Sequence, residues 1–352
     1  GLGFRELAFT PDGRFLIATV QVGFGETAEV WIWDLEAGGP SRTLASVSWI
    51  NWTQLAVDPR GSFVAVSTGD GVELVPLDGG PTRRLEGYPP GTWIGDVVVD
   101  GDGRRVAAGV LYGPPEVKVI RIWDLETEEV TVLGPVEGVG EGTEGAVVGL
   151  GFLPTGSLVS SGVDGLRIWG VQENRSEVVS PGWSGPFAIF GEGRYVVRVG
   201  QIHDDNTGRL QITDLETRDS RTVSSRIFNP NVAVDPKGHA VVSVSRAKDG
   251  AVRVTPISGG EPHLLLGHER GVRAVAVSPD GRWIASAGQE GSLRLWPMPD
   301  LTKPPLHTLP HDELIAKLET LTNLRAVRDE GSSTGWKIEV GPFPGWETMP
   351  EW

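Results

Sequence analysis

The stretch VRAVAVSPDGRWIASAGQEGSLRLW, residues 272–296, is three apolar runs of strand length separated by two tight turns. Small and large apolar residues alternate with polar ones on both sides of SPDG, a period-two pattern that marks β-strands. The Pro-Asp-Gly core of the turn supplies a preset φ at one position and freedom for positive φ at the last. A third run, SLRLW, ends on tryptophan.

The same sentence recurs along the chain. Turns of the form x-[Pro/Asp/Gly]-x-Gly stand at TPDG (10–13), DPRG (58–61), DGDG (100–103), LPTG (153–156), FGEG (190–193), DPKG (235–238) and SPDG (278–281). Spacings of this size suit propeller blades and are long for helical solenoids. RFLIATV, SFVAVST, HAVVSVS and RWIASAG follow four of the turns as alternating, half-buried strands. A third strand ends on Trp in EVWIWDL (29–35), VIRIWDL (119–125), LRIWGV (166–171) and LRLWPM (293–298). Val75, Thr213 and Thr255 hold that place in the other copies. A short fourth strand follows, as in SRTLA, TRRLEG, EVTVLG, SEVVS, SRTVS and HLLLG. The reading is all-β: a seven-bladed β-propeller of four-stranded antiparallel blades over residues 1–310, with a C-terminal helix and β-hairpin over 311–352.

WIWDLE, RIWDLE and LLLGHERGVRAVAVSPDG, with the turn-plus-Trp rhythm, resemble the WD-repeat family over roughly residues 3–309. In that family a His, a strand-b Ser, a turn acid and the Trp form a buried network. The resemblance assigns these places to His268, Ser286, Glu290 and Trp296 of the last blade, with Glu where Asp is usual. His268 is therefore expected to be framework. Most other blades lack the His and should rest on apolar packing.

Composition narrows the function classes. A formal net charge of −15 disfavours sequence-independent nucleic-acid binding, which depends on phosphate neutralisation, and docking on anionic lipid. No 18-residue apolar run is present, so no membrane-spanning helix is expected. GLGFRELAFT lacks the basic and apolar regions of a signal peptide. The chain has no cysteine, which excludes disulfides and thiolate chemistry and fits a cytoplasmic location.

The repeats can be compared with one another. In an up-and-down blade of strands a to d, the a–b and c–d connections emerge on one face, and the b–c and d–a connections on the other. The a–b turns are nearly uniform. The c–d connections (DLEAGGPS, PLDGGPT, DLETEEV, DLETRDS, PISGGEP) are short and free of aromatics. The other face is irregular. Its b–c loops carry Phe24, Tyr112 and His203, and its d–a loops carry Trp49, Trp52, Tyr88, Trp93 and Trp183. Aromatics in variable loops on a rigid scaffold suit a partner surface. The competing reading is that Trp52 and Trp93 wedge between blades and that Phe24, Tyr88, Tyr112 and Trp183 anchor their loops.

Catalytic signatures are lacking. No His pair has helical zinc-site spacing, and no nucleophile elbow, phosphate loop or kinase signature set occurs. IHDDNTG lacks the ligand order of an EF-hand and reads as a polar turn. No metal and no cofactor is expected.

The tail reads as appended structure. PPLHTLP (304–310) could supply the fourth strand of blade 7. HDELIAKLETLTN places Leu314, Ile315, Leu318 and Leu321 on one helical stripe. LRAVRD and WKIEV flank a GSSTG turn as a hairpin. Neither piece is stable alone, so Trp336 and Trp346 are expected to pack on the propeller at the blade 7/blade 1 edge, replacing an N-terminal latch. The tail also resembles the C-terminal extension of bacterial multidomain WD-repeat proteins, some of which carry a serine/threonine kinase domain. That resemblance implies a fragment of a signalling protein.

The function expected is a non-enzymatic interaction scaffold or sensor, monomeric as this chain, binding a protein or peptide on the b–c/d–a face. A small-ligand or sugar-binding propeller is the alternative, and a propeller hydrolase or lyase the third reading.

Overall fold

The computed structural model describes residues 2–22, 27–48, 53–69, 71–113, 119–134, 147–200, 207–228, 231–244, 249–314, 317, 324–328 and 336–340. Seven antiparallel sheets follow one another, six in strand order a-b-c-d and the last in order a-b-c among the described residues. Blade 1 is Leu2–Phe9, Phe15–Val22, Thr27–Asp34 and Arg42–Ser48. Blade 2 is Leu55–Val57, Phe63–Ser67, Val72–Pro76 and Arg83–Leu85. Blade 3 is Trp93–Val99, Arg105–Tyr112, Ile120–Asp124 and Val130–Leu133. Blade 4 is Gly149–Phe152, Leu158–Gly162, Gly165–Gly170 and Arg175–Pro181. Blade 5 is Ser184–Phe190, Tyr195–Gly200, Thr207–Asp214 and Ser220–Phe228. Blade 6 is Asn231–Val234, Ala240–Val244, Val252–Pro256 and His263–Leu265, and blade 7 is Val272–Val277, Trp283–Gly288 and Leu293–Pro297.

The expected seven-bladed propeller is thus the observed fold, with two corrections of detail. Strand b is buried on both faces rather than half-buried: every residue of Phe63–Ser67, Leu158–Gly162 and Ala240–Val244 is buried. Neighbouring blades cover both sides of strand b, so the polar half of its alternation consists of small residues such as Ser67, Ser161 and Ser243 inside the core. The second correction is PPLHTLP. Leu306–Thr308 forms a 3-10 turn there, closed by Thr308 N–H on the Pro305 carbonyl at 2.9 Å. Prolines at 304, 305 and 310 remove ladder donors, and blade 7 has three strands among the described residues.

The core lies between blades. Ile17, Val30 and Ile32 of blade 1 pack on Leu55, Val64 and Val66 of blade 2. Val106 and Trp123 of blade 3 meet Leu74 and Val72 of blade 2. The ring closes the same way: Phe4, Leu7, Phe9 and Leu16 of blade 1 fill the space left by Ala274, Ala276, Ala285 and Ala287 of blade 7. Each large side chain buried this way stabilises by about 1.5–3 kcal/mol.

Every a–b turn ends on a glycine in the left-handed region, from Gly103 at φ 66° to Gly193 at φ 86°. Six turns carry one hydrogen bond in common, from the glycine N–H to the carbonyl of the first turn residue, as in Gly281 to Ser278 at 2.8 Å. FGEG departs from it: Arg194 N–H bonds the Gly191 carbonyl, and Glu192 also takes a positive φ.

The chain separates into two compact units, residues 1–260 with 265–298, and residues 261–264 with 299–352. In the second, residues 311–314 and 317 are helical, and Leu324–Arg328 pairs antiparallel with Trp336–Val340 as the expected hairpin. The remainder of the expected helix, Trp346 and Trp352 lie outside the described residues, as does the side chain of Trp336.

Candidate functional site

The strand-b serine and the strand-c tryptophan are partners. Trp296 Nε1–H donates to Ser286 Oγ at 2.7 Å, His268 Nε2 lies 2.7 Å from the same oxygen, and His268 Nδ1 lies 2.5 Å from Glu290 Oε1. Burial pushes the Glu290 carboxyl up, but hydrogen bonds from Ser292 and His268 outweigh it and hold its pKa below the usual range. His268 is buried with both ring nitrogens engaged, which fits a framework role. Blade 4 repeats the core of the network, Trp169 Nε1–H donating to Ser160 Oγ at 2.8 Å. In blade 3 Ala108 replaces the serine, and Trp123 donates to the Glu86 carbonyl at 3.0 Å. In blade 6 Thr255 replaces the tryptophan, and the buried Ser243 Oγ has no partner among the described residues.

The a–b/c–d face is made of self-satisfied charges. Arg14 meets Asp34 at 2.7 Å and Glu36 at 3.8 Å. Arg104 meets Asp124 and Glu126 in blade 3, and Arg194 meets Asp214 and Glu216 in blade 5. Each aspartate also accepts two backbone N–H groups of its c–d turn, as Asp34 does from Glu36 and Ala37. The Arg14 hydrogen bond and the Ala37 N–H hold Asp34 down at about 2. The turn N–H of Thr127, against some desolvation, is the main cause of the same value at Asp124. A shallow cleft of about 230 Å³ lies on this face between blades 1 and 2, lined by Asp12, Phe15, Arg60 and Leu77 among others.

The b–c/d–a face is where the expected partner residues divide. Trp93 opens strand a of blade 3 and Tyr112 closes strand b, and the two are register partners. Their ring centroids are 5.3 Å apart at 46°, and Tyr112 is 38% exposed. Val22, at the end of strand b of blade 1, is also exposed. Trp183 is half-buried against the blade 5/blade 6 core. Tyr88 is a correction: it is 6% exposed, its hydroxyl donates to the Ala108 carbonyl at 2.7 Å and accepts the Arg121 N–H at 3.2 Å. Its ring stands edge-on to Trp123, so it fills the blade 2/blade 3 core and offers no partner surface. Phe24, Trp49, Trp52 and His203 lie outside the described residues.

Two charged residues on the inner strands escaped the sequence reading. Asp96, on strand a of blade 3, accepts N–H groups from Val97 and from Leu150 of blade 4, both at 2.8 Å. Desolvation outweighs those two bonds and pushes its pKa up to about 7. Arg198 occupies on blade 5 the strand-b place that Ser160, Ser243 and Ser286 hold elsewhere; the register pairs it with Gln211, two residues before Thr213 at the Trp position. Laying the seven b strands over one another would have exposed that substitution. Among the described residues no group of three His, Asp or Glu could hold a metal ion.

A closed ring of seven radial sheets with a Trp–Ser–His–Glu network in its last blade defines a seven-bladed β-propeller with a WD-type repeat. Comparison with known proteins agrees: residues 260–297 match the WD domain, G-beta repeat. The WD repeat-containing protein SL1-17 of Schistosoma mansoni is 27% identical over 157 residues, 44% of this chain and 47% of that protein. The match thus spans about half the length of that relative. Among solved structures, the Myceliophteria thermophila Cps50 (Swd1) β-propeller domain has TM-score 0.66 at 19% identity, covering 84% of this chain and 96% of that one. Kuenenia stuttgartiensis hydrazine synthase has TM-score 0.63 at 15% identity, covering 84% and 95%. At these identities the structural likeness speaks for the fold alone. No helix among the described residues is long and apolar enough to cross a membrane.

Proposed function

We propose that the chain is a non-enzymatic interaction module that binds a protein or peptide on the b–c/d–a face. The observation that carries this reading is the Trp93–Tyr112 pair, an aromatic platform with its tyrosine 38% exposed at the rim of that face. Aromatic residues on rigid strand ends lose little entropy on contact and are the usual anchors of interfaces. The opposite face supports the choice by contrast, since its arginines and aspartates are already paired. WD-repeat propellers are generally interaction scaffolds, and the resemblance of the tail to bacterial multidomain proteins supports a place in a longer signalling chain.

The sugar-binding alternative requires a slot between rings. A ligand ring sandwiched between two aromatics needs their centroids roughly 7 Å apart. Trp93 and Tyr112, at 5.3 Å, leave no such slot.

The test is site-directed photo-crosslinking in the native host, with the crosslinker replacing Val22 on one face or Glu36 on the other. Specific protein adducts from position 22 and none from position 36 are expected. Adducts confined to position 36 would overturn the assignment of the face.

A further inference from the structure

The guanidinium of Arg198 is a buried cation whose described partners are all neutral. It is 4% exposed. Its Nη2 donates to Ser180 Oγ at 2.6 Å, its Nη1 to Ser184 Oγ at 3.4 Å and its Nε to Thr213 Oγ1 at 3.4 Å. Among the described residues it forms no ion pair, and desolvation pulls its pKa down unopposed. Other blades treat their arginines differently. Arg167 of blade 4 pairs with Asp164 and Arg253 of blade 6 with Asp249, and each acid sits in the b–c turn of the same blade. Blade 5 moves the arginine from strand c, where Gln211 stands, to strand b, and among the described residues no acid faces it there.

The three described partners are hydroxyls, which bring donors of their own. A hydroxyl oxygen that accepts from a guanidinium still has its own hydrogen to place. Thr213 can share one with Ser220 at 2.9 Å, but among the described residues no acceptor takes the hydrogen of Ser180 or Ser184. Two guanidinium N–H groups are also left over once the three described bonds are made. A desolvated charge with surplus N–H and O–H donors is stabilised by an anion, which answers both needs together. Ser184 opens strand a of blade 5, Ser180 closes strand d of blade 4 and Arg198 lies two residues from the end of strand b. The cluster is therefore at the blade 4/blade 5 seam, just beneath the b–c/d–a rim beside Trp183.

We propose that Arg198, Ser180 and Ser184 form a seat for a small anion, either a free halide or the oxygen of a carboxylate or phosphate group. The proposal is independent of the partner-binding reading, because a free ion would serve the seam whether or not the face binds a protein.

The experiment is thermal unfolding of the wild-type chain, Arg198→Lys and Arg198→Met at constant ionic strength. Sodium chloride, acetate or phosphate replaces a bulky sulfonate buffer salt in each series. For the wild type at least one anion should raise the midpoint along a saturating curve, by about 2–4 °C when bound tenfold above its dissociation constant. The rise should shrink in Arg198→Lys and vanish in Arg198→Met. Saturation by chloride alone assigns a free halide, and saturation by acetate or phosphate assigns an oxyanion. Should Arg198→Met fail to fold, ³⁵Cl NMR line broadening by the wild type, competed by phosphate, gives the same reading without a variant. Identical responses of wild type and variants to all three anions would overturn the proposal. So would a wild type that responds to none of the three anions while Asp204→Asn/Asp205→Asn gains a saturating response, which would make the counter-charge intramolecular.

Discussion

Trp296 and Ser286 are joined by a 2.7 Å hydrogen bond across strands b and c of blade 7, and Trp169 makes the equivalent bond to Ser160 in blade 4 at 2.8 Å. Where Thr255 takes the tryptophan's place in blade 6, the serine survives without a partner among the described residues. The buried serine position is thus an experiment with its control built in.

Ser286→Ala should destabilise the propeller by about 1–3 kcal/mol, because it leaves the Trp296 N–H and a His268 ring nitrogen unpaired in the core. Ser243→Ala should be neutral or slightly stabilising, because it removes a buried hydroxyl that has no bond to lose. Urea midpoints of the two variants beside the wild type check the contrast, and equal losses would remove its basis.

The turn glycines offer a second internal control. Gly61 and Gly103 have nearly the same φ, 72° and 66°. A Cβ at Gly61 would meet nothing within 4 Å, whereas one at Gly103 would collide with Asp58 Oδ1 and Arg60 Nε of blade 2. Gly61→Ala should cost roughly 1–2 kcal/mol from its left-handed backbone alone. Gly103→Ala should cost clearly more, since Asp58 is fully buried and has little room to move. Melting temperatures of the pair decide it.

Asp96 sets a pH dependence of unusual sign. Its folded pKa of about 7 stands above the unfolded value, so between about pH 4 and 7 the folded state keeps a proton that the unfolded chain has lost. Stability should therefore fall as pH rises through that window, by an amount on the order of 4 kcal/mol. Asp96→Asn should flatten the slope. Denaturant midpoints at pH 5 and pH 8 for both proteins measure it, and parallel pH profiles would contradict the assignment.

Much of the fold was legible because propeller blades are built from local strand-turn-strand units. SPDG at 278–281 and five of its six relatives share the turn their residues imply, FGEG alone departing from it, and the Trp296 network stands where the motif places it. Blade 7's outer strand was misread because PPLHTLP has strand-like apolar spacing, while the missing proline N–H groups decide its backbone. Tyr88 was misread because a tyrosine in a Gly-Pro-rich connection looks exposed, and only the Ala108 carbonyl twenty residues away reveals its partner. The burial of Asp96 and the contacts of Arg198 stayed hidden for a related reason. Their partners, Leu150 and Ser180, come from neighbouring blades, and no spacing within one repeat encodes that contact.

The central claim, that partners dock on the b–c/d–a face, is tested most directly within blade 3, where Tyr112 and Glu126 stand at opposite faces. For the protein identified by crosslinking, Tyr112→Ala should raise the dissociation constant at least about tenfold, the effect of losing an aromatic anchor. Glu126→Ala should leave it unchanged. A loss of affinity with Glu126→Ala and none with Tyr112→Ala would contradict the account.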